Sequence, residues 1–310
     1  MSGANANTAT GTTATASPAP GGAGRFAPSP SGGLHLGSLT TATASFLDAR
    51  QSGAKWLLRI EDLDTARSRV AAADSILRLL DSLGFWWDGP VVYQSQRLEL
   101  YRQALEELTS RGLAYACSCT RRDRGSTTDT GGYPGTCRLG ARRAGPTAAR
   151  FRADLSPVGP YLDRLHGPID VDPEALGDPI VRRRDGCFAY QLAVVVDDAQ
   201  LGVTDVVRGE DLLPSTYWQR SLLRALGLRE PRYAHLPLVC EPDGTKLSKS
   251  RGAFTAQGDS ASELVCQVLR VLRQSPPVGL AQEPLSAVWD WAIANWRLNA
   301  LRGVATLPAD

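Results

Sequence analysis

Between Arg25 and Leu39 the chain reads RFAPSPSGGLHLGSL. This places Pro28, Pro30, Gly32, Gly33, His35, Gly37 and Ser38 directly ahead of the helix-like run LTTATASFLDAR. The prolines fix φ and forbid helix before the turn. The glycines let backbone approach a ligand closely. A helix N-terminus offers unpaired N–H groups and a partial positive charge, a setting that suits phosphate. A Gly/Pro/Ser cluster alone reads as a β-α turn that binds nothing, but an imidazole stands inside this one and the chain has only 3 histidines. A second cationic candidate lies over 200 residues later. Two lysines and two serines, Lys246, Ser248, Lys249 and Ser250, fall between Gly244 and Gly252. Lysine is a compact point charge suited to phosphate; taken alone, the segment also reads as a solvated surface loop. A third group is Cys117, Cys119 and Cys137, three of the 6 cysteines, in a Gly-rich stretch that also holds Tyr133. Three thiolates bind zinc well, but a structural site needs a fourth ligand and His166 is far downstream. From spacing alone, zinc and free thiols are both open.

The elements that must hold these groups follow from hydrophobic spacing. Leu39, Ala42, Phe46 and Leu47 keep helical period, with Gly53 just past the end. Lys55–Ile60 is a short apolar run, read as a buried strand that ends in Glu61-Asp62-Leu63-Asp64. Ser68–Leu83 is read as a helix with a Val70, Ala73, Leu77, Leu80 core stripe. Another helix is expected over Gln96–Ser110, with Leu98, Tyr101, Leu105 and Leu108 on one face. Strand, helix, strand, helix, helix favours a doubly wound parallel α/β sheet, whose ligands sit beyond the strand C-termini at a switch point. The opening turn and Glu61 would meet there. The pattern breaks at Leu113–Arg150. Beyond it, Phe151–Leu155 is read as a strand and Tyr161–Leu176 as a polar connector. A hairpin is expected over Asp178–Phe188, its turn at Asp185-Gly186. The apolar run Ala189–Val196 ends in the paired acids Asp197-Asp198. Val203–Val207 is a β-branched strand that ends at Arg208, for which an ion pair with Glu210 or Asp211 is the plain reading. A helix over Ser215–Leu226 and a strand over Tyr233–Val239 follow. The last 60 residues are expected to form one or two helices, around Ser262–Gln274 and Leu285–Asn299.

Composition sets bounds. The 310 residues make one large or two modest domains, and 43% hydrophobic residues supply a core. A formal net charge of +2 neither demands nor excludes an RNA partner. Arginine clusters, such as Arg121-Arg122-Arg124 and Arg182-Arg183-Arg184, read as solvated faces or as nucleic-acid contacts. No apolar run reaches the roughly 18 residues of a membrane span, and the first 24 residues have neither the apolar core of a secretory signal nor an arginine. The expectation is a cytoplasmic chain with reduced thiols and a disordered tail over 1–24.

HLGS at 35–38 and KLSKS at 246–250, in that order around an α/β pattern, resemble the HIGH and KMSKS signatures of class I aminoacyl-tRNA synthetases. RFAPSPSGGLHLG, LRIEDLD, DGCFAYQLAVVVDD and VRGEDLL are similar to the glutamyl and glutaminyl branch. Leu36 replaces Ile of HIGH and Leu247 replaces Met of KMSKS, both apolar. Only 60 residues follow Ser250, too few for an anticodon-binding domain. That resembles the truncated bacterial paralogues of the branch, which activate L-glutamate without tRNA and join it to queuosine in the tRNA(Asp) anticodon.

The resemblance implies a Rossmann-like catalytic domain in two halves, 25–112 and 181–252. A zinc-containing, acceptor-like subdomain would be inserted at 113–180, and a helical C-terminal region would run over 253–310. It implies ATP with Mg²⁺ as substrate and one structural Zn²⁺ held by Cys117, Cys119, Tyr133 and Cys137. His35, Gly37, Ser38 and Lys249 would meet ATP, with His35, Lys246 and Lys249 as the catalytic set. Arg25, Phe26, Ala27, Pro28, Ser29, Glu61, Tyr190 and Arg208 would surround glutamate. Arg25 and Arg208 would face its carboxylate and Glu61 its ammonium. The expected partners are glutamate, ATP and queuosine-containing tRNA(Asp), bound by a monomer away from any membrane. Two alternatives remain: a tRNA-dependent glutamyl-tRNA synthetase core that charges a 3′ end, and a non-catalytic zinc-containing RNA-binding paralogue.

Overall fold

The computed structural model describes residues 21–64, 70–120, 123, 132–172, 176–241, 245, 247 and 260–309. Strand β1 (Ala23–Phe26) pairs in parallel with β2 (Lys55–Ile60), and β2 with β3 (Val92–Tyr93). Strand β9 (Asp205–Gly209) pairs in parallel with β10 (Arg232–Leu236). The two pieces meet edge to edge: Thr204 N donates to Ala23 O at 2.9 Å, and β1 lies alongside β9. Start lies beside start and end beside end, so the strands run one way in the spatial order β3-β2-β1-β9-β10. After β1 the chain winds outward through helix α1 (Leu36–Gln51) to β2; after β9 it winds the opposite way. The switch point therefore falls between the C-terminal ends of β1 and β9.

Period 2 sorts β2. Trp56, Leu58 and Ile60, all nearly inaccessible, face an apolar layer built by α1, α2 (Val70–Ser82) and the C-terminal helices. Phe46, Phe85, Trp56 and Trp289 interlock there with ring centroids 4.8–5.6 Å apart. Arg59 points to the other face, towards α3 (Leu98–Ser110) and α4 (Tyr190–Gln200). With α5 (Leu213–Ala225), these helices form the second apolar layer.

The segment after β4 (Ala114–Cys117) is antiparallel: β4 pairs with β5 (Ala148–Phe151) and β5 with β8 (Ile180–Arg182). This small sheet extends past residue 180, so the last strand of the expected insert lies across its boundary. Chain beyond residue 252 adds α6 (Ala261–Val271) and α7 (Leu285–Asn295). It then adds a strand as well, β12 (Thr306–Pro308), parallel to β11 (Leu238–Cys240).

Several expectations are corrected. The expected tail over 1–24 reaches too far, because β1 already includes Ala23 and Gly24; residues 1–20 lie outside the described residues. In α2 the buried stripe is Ala73, Ile76 and Leu80 at helical spacing, and Val70 is exposed. Leu98, the first residue of α3, is likewise exposed while Tyr101, Leu105 and Leu108 are buried. Leu155 ends a 3-10 turn (Ala153–Leu155), and the strand lies earlier at β5. The connector at 161–176 contains the hairpin of β6 (Tyr161–Asp163) and β7 (Gly167–Ile169). The expected single strand at 233–239 is β10 and β11, broken at Pro237, which has no N–H to give to a ladder.

Candidate active site

A cavity of about 700 Å³ opens at the switch point. Its wall includes Arg25, Phe26, Ala27, Pro28, Ser29, Glu61, Tyr190 and Arg208 on one side, and His35, Gly37 and Ser38 on the other. All are residues picked from the sequence, and the fold brings them together from β1, α1, β2, α4 and β9. Leu247 also lines the cavity, held by its N–H to Val239 O at 2.9 Å. Lys246 and Lys249 lie outside the described residues.

The start of α1 has no acidic residue in its first turn and no side-chain hydrogen bond at its cap, His35. Its positive end is thus offered to the cavity. Ser38 Oγ lies 3.2 Å from His35 Nε2. A Cβ at Gly37 would come within 3.1 Å of the imidazole, so glycine lets the ring lie across the first turn. Glu61 N donates to Pro28 O at 3.0 Å, which ties the end of β2 to the loop after β1.

Beneath the cavity floor lies a charge cluster that was not picked from the sequence. Arg59, fully buried, donates to Asp198 at 2.6 Å and to Glu61 at 3.3 Å, and sits 3.7 Å from Asp197. Arg25 reaches Asp198 at 3.3 Å. Asp197 further accepts from Gln94, Arg97 and Tyr101 at 2.6–2.8 Å. Burial works against the charge on Arg59, and Asp198, Glu61 and Asp197 outweigh it, raising its pKa. Burial likewise pushes Asp198 up, but Arg25 and Arg59 hold it below the usual carboxylate value. Burial pushes the Glu61 carboxyl up, with Arg59 and Arg25 pulling it back. Burial also raises the Tyr190 phenol. The sequence signals were an arginine inside the apolar strand KWLLRI and two acids ending the apolar run LAVVV.

Arg208 corrects its plain reading. It donates to His235 Nε2 at 3.1 Å, Gln219 Oε1 at 2.7 Å and Thr216 Oγ1 at 2.7 Å, not to Glu210 or Asp211. His235 in turn places Nδ1 2.6 Å from Asp163 Oδ2. The other arginines of the cavity wall are matched to acids: Arg25 to Asp198, and Arg183 to Asp64 and Asp185.

Away from the cavity, the sulfur atoms of Cys117, Cys119 and Cys137 lie within 4.8 Å of one another. Tyr133 Oη is 3.3 Å from Cys117 Sγ and 3.4 Å from Cys119 Sγ. Burial alone would raise the Cys137 thiol; hydrogen bonds from Tyr133 and nearby groups bring it down to about 6. Three soft donors and a phenol converging on one point can hold a tetrahedral metal ion. Arg184 donates to the carbonyls of Ser118 and Cys119, which ties this group to the strand leading into the cavity wall.

Residues 23–271 match the family model for tRNA synthetases class I (E and Q), catalytic domain. The chain is 48% identical over 296 residues to the glutamyl-Q tRNA(Asp) synthetase of Dechloromonas aromatica, covering 92% of this chain and 98% of that protein. It is 44% identical over 288 residues to the protein so named from Pseudomonas aeruginosa, covering 93% and 97%. Among solved structures it resembles the glutamate-tRNA synthetase of Elizabethkingia anophelis, with TM-score 0.78 and 26% identity over 93% of this chain and 68% of that one. Among the described residues no helix is long and apolar enough to cross a membrane.

The buried imidazole makes stability depend on pH. Burial lowers the His235 pKa from the usual 6.5, against the pull of Asp163, with Arg208 adding to the lowering. Thr216 and His166 also face the ring and its strand. The unfolded chain therefore takes up a proton below pH 6.5 that the folded chain refuses. The contribution is complete above that pH and declines below it. Unfolding free energy from urea melts should fall between pH 7.5 and 5.5, by up to about 1.4 kcal/mol per unit at the acid end. A flat profile there would contradict a neutral buried His235.

Proposed function

The chain belongs to the class I tRNA synthetases of the glutamate and glutamine group, and from that premise we propose that it activates L-glutamate with ATP in the absence of RNA and transfers it to queuosine in the anticodon of tRNA(Asp). The carrying observation is the cavity itself. A fork of arginine N–H groups, a carboxylate and an uncapped helix N-terminus converge within one space at the switch point.

The chemistry is displacement at phosphorus. An α-carboxylate oxygen of glutamate attacks the α-phosphorus of ATP, the bond to the bridging oxygen breaks, and pyrophosphate leaves with that electron pair. Positioning and charge stabilisation carry such a step. His35, Gly37 and Ser38 at the start of α1 would cradle the phosphates. Lys249, with Lys246 assisting and Mg²⁺ as counter-ion, would meet charge as it develops. Glu61 would pair with the substrate ammonium; Arg208 and Arg25 would face carboxylate, and Tyr190 would hydrogen-bond the ligand. In the second step a queuosine hydroxyl attacks the activated carbonyl and AMP leaves.

The acceptor assignment rests on likeness to relatives named for it, over 97–98% of their length. Its test is transfer of labelled glutamate to tRNA(Asp) with and without queuosine. Incorporation should require the modified base, and pyrophosphate exchange should proceed with glutamate and ATP alone. Strict dependence of exchange on tRNA, or charging of the unmodified 3′ end, would favour the tRNA-dependent reading instead. Lys249→Ala should lower exchange by 100-fold or more, on the order of 3 kcal/mol of transition-state stabilisation.

We further propose that Cys117, Cys119, Tyr133 and Cys137 hold one structural zinc. The purified chain should carry about one equivalent, and Cys119→Ser should carry markedly less. Under half an equivalent in the wild type would count against the site.

A further inference from the structure

Arg208 combines features that the glutamate reading does not by itself explain. Its side chain is 4% exposed, yet its three hydrogen-bond acceptors, His235 Nε2, Gln219 Oε1 and Thr216 Oγ1, are all neutral. A guanidinium has five N–H donors, so two are left over on a group that lines the cavity. A carboxylate is nevertheless close behind. Asp163, fully buried, accepts Leu165 N and His166 N on Oδ1 and lies 2.6 Å from His235 Nδ1 through Oδ2. An ionised Asp163 only accepts, so His235 must present Nδ1–H to it. The lone pair of Nε2 then faces Arg208 Nε–H. The imidazole stands as a neutral spacer between acid and cation. It fixes the guanidinium plane by an acceptor at Nε and leaves its charge, among the described residues, without a carboxylate in direct contact.

We propose that Asp163 and His235 are positioning residues. They lock the imidazole in the Nδ1–H form, so that Arg208 presents an oriented, unneutralised fork to a substrate carboxylate. This rests on the glutamate reading and adds the source of the preference for carboxylate over amide. A carboxylate placed directly on Arg208 would quench the charge that selects the substrate. An imidazole in the other tautomer would set an N–H against the Nε–H of Arg208 and turn the fork away. A buried donor facing a donor costs enough to shift binding by roughly tenfold or more.

Asp163→Asn tests this with little change in shape. The amide can donate to Nδ1 and so favours the Nε2–H tautomer. In pyrophosphate exchange by the full chain, KM for glutamate should rise roughly tenfold or more and the preference over glutamine should shrink. KM for ATP should stay within about twofold. Nitrogen-15 NMR of the wild type should show His235 neutral with its proton on Nδ1 at pH 7.5, and that signal should move to the Nε2–H form in the variant. With only 3 histidines the assignment is tractable. A folded variant with unchanged glutamate KM would overturn the inference. So would equal losses for glutamate and ATP, the mark of a merely structural role. If the variant does not fold, the wild-type spectrum decides: an Nε2–H or doubly protonated ring overturns the proposal. A wild type inert toward glutamate removes the parent reading and this inference together; an active wild type with an unaffected variant removes this inference alone.

Discussion

The contact between Arg59 and the paired acids Asp197 and Asp198 is the constraint on which the site depends. Burying a guanidinium with no exposed surface is costly, and carboxylates around it offset that cost. Here Asp198, Asp197 and Glu61 do so, and Arg25 and Arg97 complete the set. Three arginines face three carboxylates, so the cluster is neutral as a whole. Removing one member would strand a buried charge, a loss of about 3–5 kcal/mol, whereas the intact cluster need add little net stability. Its effect is geometric. It fixes the end of α4 against β1 and β2, and with them Tyr190 at the start of α4, Arg25 on β1 and Glu61 beyond β2.

Because that cluster balances itself, the charge of Arg208 is not absorbed by the protein around it. The nearest acid behind it acts through a neutral ring. On the cavity wall Arg208 thus has no direct carboxylate contact among the described residues, whereas Arg25 is paired with Asp198. The opposite wall is the uncapped start of α1, whose partial charge is also positive. An amino acid with an anionic side chain and a nucleotide phosphate could share such a cavity.

Much of this was legible in the sequence, for particular physical reasons. The strand Lys55–Ile60 was read with its observed bounds, because an apolar run between Gly53 and an acidic cluster has few alternatives. The turn from Arg25 to Ser38 was readable because its prolines forbid helix and its glycines permit a tight turn directly ahead of a run with helical spacing. What escaped was chemistry placed by tertiary contact. Arg59 looks like an ordinary residue of an apolar strand until its alternation with Trp56, Leu58 and Ile60 is set against α4, over a hundred residues later. His235 sits between Ala234 and Leu236 in a strand, and only the hairpin at 161–169, read as a connector, supplies its carboxylate. That hairpin was missed because its strands are three residues each, too short to show a period. Cys117, Cys119, Tyr133 and Cys137 do converge, though spacing alone left them open.

One rate comparison directly addresses the proposal that an oriented, unneutralised Arg208 selects a carboxylate. Pyrophosphate exchange by the wild-type chain is measured in the absence of RNA with glutamate, and then glutamine, as the sole amino acid. The two differ by a charge and hardly at all in size. The structure predicts kcat/KM for glutamate higher by about a thousandfold or more, as expected where a buried polar group is left unmatched by the wrong substrate. Values within about tenfold of each other would contradict it.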